Sequence, residues 1–536
     1  MPVYPRMKSD LYSAANVAAA IEKPSAASPN YWCTWCTQST CLAQTKARLA
    51  PLFIGDQGQP GVRDGLCEEV LFGKGGWVDF YPRVRSDLVF LLDDGWDVPY
   101  GAGRLPELMK WPFGSMELDP VRFPSFRGSP GAKLAELTRR VKDKGWRGSG
   151  LWVAIQSQAE LGVAKWAGFT RREEWKRKLD WCAEGGVSYL KVDWGECSGD
   201  IAFRQMLTDL KNEIAPHVVV EHCHCQLPVN GMREDGTGGG RRLFGPEDED
   251  LRQWERLAMK CSDAWRIYDW IDPLAMPQGI DRTVTDIKIA EETGSRTVVS
   301  TEDGLYIGAA LGCAFGIMRS GARTADSRRW PSLPSRRLAE VDRAVRWERI
   351  APAYAPRPGY AIAYSDDALF DSWHFEKGEF WHEPLCGRDI RQGAPARVSR
   401  GMPLPEVVAD GEMPYVLCAR NPSGAISVAA QPRVSGGKYV TPLADVRLDA
   451  ALSPASPLGV FGSFRSVTIR CAPGVAVFAR DLAGGVVRDI TASVCFAGGV
   501  ATLPGDLLAR IGKEADDDDS MPGVLVWCEK EEDEGR

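Results

Sequence analysis

Asp193 is the residue in this chain whose type and surroundings most suggest catalysis. It ends the short apolar segment VSYLKVD, and the alternation of side chains along a strand places Lys191 on the same side, about 7 Å away along the backbone. An ammonium group beside a carboxylate opposes the rise in pKa that burial alone would cause. Asp193 is therefore suited to act as an ionised nucleophile. A simple salt bridge at a strand end is the alternative for an isolated Lys-x-Asp motif.

Asp269 is a second carboxylate at the end of an apolar segment, and it lies between Tyr268 and Trp270. Enclosure by the two rings would desolvate this carboxyl group and raise its pKa towards neutrality, as a general acid requires. One charged and one protonated carboxyl group are the minimum for retaining glycoside hydrolysis, with the two groups about 5 to 5.5 Å apart. Asp272 is the reserve candidate for the acid. Capping of the segment that begins at Pro273 is the alternative role, and it fits Asp272 better than Asp269.

The adjacent like charges of Asp93 and Asp94 suggest ligands for a substrate. Two neighbouring carboxylates need donors that satisfy them, and sugar hydroxyl groups can donate paired hydrogen bonds to them. Trp96, two residues later, offers an aromatic face for a sugar ring. The alternative is a turn, because Asp-Gly is a common turn signal.

The segment EHCHC (221–225) and the cysteines of YWCTWC (31–36) raise the question of a zinc site. Zinc needs three or four converging ligands, but the chain has only five histidines, and neither cysteine pair has a partner pair at zinc-finger spacing. In a strand, the two histidines of EHCHC share one face while its glutamate and cysteines share the other. We therefore expect packing roles or a single substrate contact here, and neither a metal nor a cofactor.

Short apolar segments alternate with amphipathic ones up to about residue 350, a pattern typical of a (β/α)₈ TIM barrel, whose active site forms at the carboxyl ends of its strands. The predicted strands are 31–35, 88–94, 150–155, 187–193, 217–223, 264–269, 297–303 and 311–318. The clearest predicted helices are 129–144, 171–184, 201–214, 247–260, 281–293 and 335–349. Further on, short runs punctuated by Pro and Gly predict a smaller all-β antiparallel sandwich. The predicted organisation is an extension (1–29), the barrel (30–350) and the sandwich (351–536).

Composition narrows the choice of partners. Lys and Arg total 65 against 72 for Asp and Glu, and the net charge of −7 provides no basic surface for nucleic acid or anionic lipid, so we predict neither partner. The amino terminus lacks a signal-peptide pattern and the fifteen scattered cysteines suit reduced, packed thiols, so we expect a cytoplasmic location. Nineteen tryptophans favour a carbohydrate ligand. A homo-oligomer is left open.

The order of these motifs resembles the catalytic barrel of the clan D glycoside hydrolases, families 27 and 36, which include the α-galactosidases. The resemblance covers roughly residues 30 to 320. It rests on LLDDGW, GLWVA, LKVDWG, EHC with a downstream GGGR, WRIYD and STEDGL, in that order. It implies a retaining mechanism in which Asp193 is the nucleophile and Asp269 is the acid/base.

The resemblance also implies ligands for the sugar. Asp93 and Asp94 would bind the axial O4 and the O6 that distinguish galactose from glucose, and Glu221 and Cys223 would lie near the 2-hydroxyl group. Together with the aromatic residues expected to line the pocket, the predicted substrate-binding set is Trp35, Asp93, Asp94, Trp96, Trp152, Lys191, Glu221, Cys223, Arg266 and Asp303.

The favoured activity is that of an exo-acting α-galactosidase on an oligosaccharide or another glycoside. Related activities that use the same carboxylates stay open: α-N-acetylgalactosaminidase, β-L-arabinopyranosidase and raffinose-synthase-like galactosyltransferase. Two alternatives belong to other classes. A zinc-dependent barrel hydrolase would use the His-x-His of the fifth strand, and an inactive sugar-binding protein would keep the Asp pair without turnover.

Overall fold

A computed structural model describes residues 14–38, 63, 65–100, 113–223, 249–267, 276–321, 337–375, 388–515 and 520–530. Within these residues, eight short parallel strands form one barrel, in which each strand pairs with a neighbour along the chain and the first also pairs with the eighth. They are β1 (Tyr31–Cys33), β2 (Val89–Leu92), β3 (Gly148–Val153), β4 (Tyr189–Val192), β5 (Val219–Cys223), β6 (Ala264–Arg266), β7 (Val298–Ser300) and β8 (Gly316–Ile317). A parallel backbone bridge between Ser300 and Ala314 closes the barrel between β7 and β8. The predicted barrel is confirmed.

Helices flank most of the barrel strands, and two of them show why they begin where they do. The Ser129 side chain accepts a hydrogen bond from the Ala132 amide at 3.1 Å, and Thr170 forms a capping box with Glu173. The helices are α1 (Ala14–Ala20), α2 (Glu68–Phe72), α3 (Pro130–Asp143), α4 (Arg171–Gly185), α5 (Ile201–Ile214), α6 (Glu249–Lys260), α7 (Met276–Thr293), α8 (Leu305–Leu311), α9 (Leu338–Glu348) and α10 (Gly505–Ile511). None of the helices in the described segments is long and apolar enough to cross a membrane.

Helix α8 was not predicted, and its last residue was assigned to the eighth strand. All seven of its residues are buried, so it has no polar face and no helical periodicity to read in the sequence. Gly312 ends the helix with φ of 67°, a left-handed conformation that favours glycine. A Cβ atom there would lie 2.2 Å from the Tyr354 ring, so both the backbone and the packing require glycine.

The carboxyl-terminal part contains two large sheets that pack on a shared apolar core, as the predicted sandwich requires. The strands are β9 (Ile362–Tyr364), β10 (Ala368–Phe375), β11 (Arg388–Pro395), β12 (Arg397–Arg400), β13 (Glu406–Ala409), β14 (Tyr415–Arg420), β15 (Ile426–Gln431), β16 (Arg433–Ser435), β17 (Lys438–Val440), β18 (Ala444–Leu452), β19 (Leu458–Phe461), β20 (Ser466–Cys471), β21 (Val475–Asp481), β22 (Arg488–Asp489), β23 (Cys495–Ala497), β24 (Val500–Pro504) and β25 (Gly523–Lys530). Most of their pairs are antiparallel, but three are parallel: β12 with β14, β15 with β19 and β18 with β20.

A buried ion pair and a group of aromatic rings join the barrel helices to the sandwich. The Arg343 guanidinium on α9 donates to both carboxylate oxygens of Asp481, at 2.8 and 3.0 Å. The Phe461 ring of β19 contacts Tyr306 and Trp347, with centroids 5.0 and 5.8 Å away. Both polar and apolar contacts therefore hold the sandwich against the helices of the barrel.

Candidate active site

Asp193 follows β4 directly, so its side chain lies at the carboxyl end of the barrel. It is 6% exposed, and donors from three elements hold its carboxylate. The Trp194 amide donates to Oδ1 at 2.9 Å, while the Trp152 indole and Arg266 Nη2 donate to Oδ2 at 3.2 and 2.8 Å. These three hydrogen bonds fix the carboxylate in one orientation.

Two buried cations set the charge of Asp193. Burial raises the pKa of the Asp193 carboxyl group, but Arg266 and then Lys191 outweigh that effect, and the pKa is lowered below its usual value. Asp193 is consequently ionised at neutral pH, in the direction expected from the sequence. Arg266 lowers the pKa of Asp193 more than Lys191 does, although Lys191 is the cation that the sequence pattern indicated.

Lys191 binds a different aspartate. Its Nζ donates to Asp93 Oδ2 at 2.6 Å, and the buried Cys33 thiol donates to the same oxygen at 2.9 Å. The Thr34 hydroxyl accepts from the Asp93 amide at 2.9 Å, which ties the end of β2 to the residue after β1. All the cysteines in the described segments are free thiols, and Cys33 is a packed one that has a polar partner.

Asp94 forms an ion pair that the sequence did not predict. Arg63 donates to both of its carboxylate oxygens, at 2.9 Å to Oδ1 and 2.7 Å to Oδ2. The Arg63 guanidinium lies 4.5 Å from the Phe113 ring centroid and 5.9 Å from that of Trp194. Burial raises the pKa of Asp94 more than Arg63 lowers it. Because Arg63 lies about thirty residues upstream, no local spacing could have revealed this contact.

Arg266 contacts three carboxylates with one guanidinium. In addition to Asp193, its Nη1 donates to Glu302 Oε1 at 2.6 Å, and its Nε lies 3.2 Å from Glu221 Oε1. Arg266 Nη2 also lies 3.1 Å from the Cys223 sulfur. The guanidinium and the carboxylates of Glu221 and Glu302 are almost completely buried. Strands β5 and β6 and the turn after β7 thus converge on the cation that holds Asp193.

Glu221 belongs to the polar interior of the barrel. The Tyr31 hydroxyl donates to its Oε1 at 3.0 Å, and the Tyr189 hydroxyl donates to its Oε2 at 2.8 Å. Burial raises the pKa of this carboxyl group more than Arg266 lowers it. Gly316 of β8 leaves room for the Tyr31 ring, since a Cβ atom there would lie 2.3 Å from the tyrosine oxygen. The predicted contact of Glu221 and Cys223 with a sugar 2-hydroxyl stays a prediction.

The aromatic side chains divide into supporting and accessible ones. Trp96, expected to offer a face to a sugar, is 0% exposed, and its indole donates to the Trp152 carbonyl at 2.8 Å. Trp152 is 1% exposed, contacts Phe113 and Trp194 and donates from its indole to Asp193. Both rings are therefore buried, and their predicted contact with a sugar stays a prediction. Trp35 and Trp194 are partly exposed. Trp194, which directly follows Asp193, was not among the residues predicted from the sequence.

Asp303 is paired within the protein, and its predicted contact with a substrate stays a prediction. Its carboxylate accepts from Arg319 Nε at 2.8 Å and from the Met318 amide at 3.0 Å, and so it joins the end of β7 to the end of β8. The preceding residue, Glu302, reaches Arg266 instead. Of the two acidic residues in the motif STEDGL, Glu302 is the one that reaches Arg266.

His222 faces away from this site. Arg204 Nη1 lies 2.9 Å from its Nδ1, and the Thr208 hydroxyl lies 3.4 Å from its Nε2, so the ring packs against α5. Burial and then Arg204 lower the pKa of this imidazole well below its usual value. Among the described residues, no group of three or more His, Cys, Asp or Glu side chains has a metal-binding arrangement. His224, Asp269 and Asp272 lie outside the described residues.

Comparisons with known proteins give structural neighbours only. No protein-family model matches the chain, and no curated protein matches it significantly. A family 27 β-L-arabinopyranosidase from Geobacillus stearothermophilus aligns over 97% of this chain and 99% of its own, at 10% identity and a TM-score of 0.41. An α-galactosidase from Saccharomyces cerevisiae aligns over 95% of this chain and all of its own, at 8% identity and a TM-score of 0.33.

A different enzyme class is also among the neighbours. The carboxyl transferase domain of pyruvate carboxylase from Rhizobium etli aligns over 56% of this chain and 39% of its own, at 13% identity and a TM-score of 0.25. The first neighbour is a family 27 enzyme, one of the two families that the sequence motifs resemble. At such identities the structural similarity assigns no role to any particular residue.

Proposed function

We propose that the protein is a retaining glycoside hydrolase with Asp193 as its nucleophile. The observation that carries this proposal is the state of Asp193: a buried carboxylate at the carboxyl end of a barrel, ionised by two cations and held by a backbone amide and an indole. Active sites of such barrels form at this end. An anion kept reactive and oriented in this way is what a covalent nucleophile requires.

The mechanism follows from the charge of this residue. Asp193 attacks the anomeric carbon and forms a covalent glycosyl intermediate, while an acid protonates the leaving oxygen. The resemblance assigns the acid to Asp269, which would then activate water to release the sugar with net retention. In the attack Asp193 loses its negative charge, whereas Arg266 and Lys191 keep their positive charges.

The proposed sugar is a terminal α-galactoside. Asp93 offers acceptors beside Lys191, which offers a donor, and this combination suits vicinal hydroxyl groups that both donate and accept. The partly exposed Trp35 and Trp194 provide aromatic faces for the apolar side of the ring. The assignment of galactose over other sugars rests on the resemblance of LLDDGW to the family motif.

A β-L-arabinopyranoside is the second candidate, and the Arg63 contact favours it. Arg63 occupies both oxygens of Asp94, which the resemblance assigns to hydroxyl recognition around O4 and O6. An arabinopyranose has the galactose configuration but lacks the hydroxymethyl group, and therefore requires one acceptor fewer at that edge. Asp93 and Lys191 would serve both sugars.

Activity on a panel of 4-nitrophenyl glycosides tests the proposal and separates the two sugars. The panel comprises the α-D-galactopyranoside, the β-L-arabinopyranoside, the 2-acetamido-2-deoxy-α-D-galactopyranoside and the α-D-glucopyranoside. A 2-deoxy-2-fluoro analogue of the best substrate should label the peptide that contains Asp193, as detected by mass spectrometry. Labelling at another residue would contradict the assignment.

The Asp193→Ala variant should lose at least about 10³-fold in kcat while it remains folded, because the covalent nucleophile is gone. Asp286→Asn is the matched control. Asp286 is also buried and accepts an indole hydrogen bond, from Trp265 at 3.0 Å, but it lies on α7. The control should keep its activity, and near-normal turnover in Asp193→Ala would refute the proposed mechanism.

A further inference from the structure

Glu302 stands out because its backbone and its side chain make conflicting demands. Its φ is 49°, in the left-handed region that residues with a Cβ atom seldom occupy. The Gly304 amide donates to the Thr301 carbonyl at 3.0 Å, so Glu302 is the second residue of a tight turn, where glycine is preferred when φ is positive. Strain of this kind persists where the surrounding structure enforces it, and it concentrates at functional sites.

The side chain of Glu302 makes the shortest of the three carboxylate contacts of Arg266. The distances from the guanidinium are 2.6 Å to Glu302, 2.8 Å to Asp193 and 3.2 Å to Glu221. Glu302 takes Nη1, which leaves Nη2 for Asp193. While Asp193 is ionised, three carboxylates therefore share the single positive charge of Arg266, although one would suffice to neutralise it.

This excess of carboxylates has a function once Asp193 becomes an ester. The new bond between Asp193 and the anomeric carbon removes one negative charge from the site, and a buried guanidinium left without a carboxylate is costly. Glu221 is an incomplete replacement, because its oxygens already accept from Tyr31 and Tyr189. Glu302 contacts Arg266 through a separate nitrogen and keeps it paired throughout.

We infer that Glu302 is a positioning residue that orients Arg266 towards Asp193 and keeps the guanidinium paired while Asp193 is glycosylated. The catalytic consequence rests on the proposed function. The electrostatic part does not, since it concerns only how Arg266 is shared between two carboxylates.

A double-mutant cycle tests the electrostatic part without any substrate. Asp193→Asn removes the charge that the ester would remove and thus imitates the intermediate. The fall in Tm caused by Glu302→Gln should be larger in the Asp193→Asn background than in the wild-type background, because Arg266 then loses its second carboxylate. Equal shifts in the two backgrounds would overturn the inference.

Glu340→Gln is the matched control for this cycle. Glu340 is a buried glutamate on α9 that accepts from Arg319 at 2.7 Å, and it shares no partner with Asp193. Its effect on Tm should be the same with Asp193 or Asn at position 193. A control that couples to Asp193 as strongly as Glu302 does would show a general loss of packing and would also overturn the inference.

Kinetics test the catalytic part on a 2,4-dinitrophenyl glycoside of the preferred sugar. In Glu302→Gln, kcat/KM should fall roughly 10- to 100-fold, because formation of the intermediate is slowed by misplacement of Arg266. The kcat of such a substrate, limited by hydrolysis of the intermediate, should fall less. A merely structural role would lower both parameters together, and that result, or unchanged kinetics, would overturn it.

The backbone provides a second variant that separates strain from charge. Glu302→Gly removes the carboxylate but relieves the left-handed conformation, so its Tm should equal or exceed that of Glu302→Ala while its kcat/KM is as low. Full activity in Glu302→Gly would overturn the inference. If the wild-type protein cleaves no glycoside, the proposed function fails, and the double-mutant cycle alone decides whether Glu302 and Asp193 share Arg266.

Discussion

The carboxyl end of the barrel and the core of the sandwich are both buried, but they are built from opposite materials. Around Asp193, charged side chains such as Lys191 and Arg266 are buried and paired. Between the sandwich sheets, the shared core consists of apolar side chains such as Val428 and Leu448. Burying ions costs several kcal/mol each before pairing, whereas burying aliphatic groups is favourable.

This contrast supports the proposed position of the active site. Buried ion pairs also occur elsewhere, as between Arg343 and Asp481, but that pair joins one cation to one carboxylate, whereas Arg266 contacts three. The alternation of buried and exposed residues along β18 shows that its sequence is organised for packing. The three carboxylates grouped around Arg266 at one end of the barrel are in keeping with the proposed site, which has to bind polar groups.

Removal of the shared cation should give the largest effect on stability. Arg266→Met leaves Asp193, Glu221 and Glu302 buried without their common partner, and we expect a loss of about 3 to 5 kcal/mol in the free energy of unfolding. Urea denaturation of the variant and the wild type measures it. A loss below about 1 kcal/mol would mean that the barrel interior tolerates unpaired charge. The contrast between the charged barrel end and the apolar sandwich core would then have no energetic meaning.

An apolar truncation in the sandwich should destabilise the protein and leave the chemistry intact. Leu448 on β18 is 1% exposed, and Leu448→Ala should cost about 3 kcal/mol through lost burial and a residual cavity. Values of kcat at a temperature where the variant is folded should match those of the wild type. A fall in kcat of more than about tenfold would show that the sandwich takes part in the site.

Asp97, a buried carboxyl group near the site for which the described residues show no ion pair, should give a pH-dependent effect. Asp97 accepts from the Met116 amide at 3.1 Å through Oδ2, while its Oδ1 meets no donor among the described residues. Burial raises the pKa of Asp97 to about 7 from an ordinary value of 3.8. Asp193, which has cations beside it, shows the opposite direction.

Because the folded pKa of Asp97 lies above the unfolded value, the folded state holds the proton more tightly, and stability falls as pH rises from about 4 to about 7. Asp97→Asn should remove this dependence and stabilise the protein by up to about 4 kcal/mol at pH 8. Chemical denaturation at pH 5 and pH 8 checks it. A variant as pH-dependent as the wild type would show that another group is responsible.

Many of the helices and barrel strands could be predicted because the sequence patterns that indicate them are local. Hydrophobic alternation and helix caps depend on neighbours in the chain, so α5 was predicted to the residue and α3 within one residue at each end. Helix α8 was missed because burial on every side removes the polar face that defines a helical pattern. The position of Asp193 at the carboxyl end of the barrel could be predicted because the residue after a barrel strand is placed by the strand itself.

The partners of the charged residues could not be predicted in the same way. Lys191 is two residues from Asp193, yet it donates to Asp93 across the barrel. Arg63 reaches Asp94 from another part of the chain. The sequence offered Glu302 and Asp303 side by side, and the backbone conformation of the turn determined which one reaches Arg266.

The sequence by itself determined the positions of the eight barrel strands, most of the helices, the order of barrel and sandwich, and the carboxylates that follow the barrel strands, because each depends on chemistry within a few residues. The tertiary structure alone decided which cation pairs with which carboxylate, which tryptophans are buried and which glutamate reaches Arg266. The physical reason is that electrostatic pairing depends on distance in space, and closing the barrel brings together strand ends that are far apart in the chain.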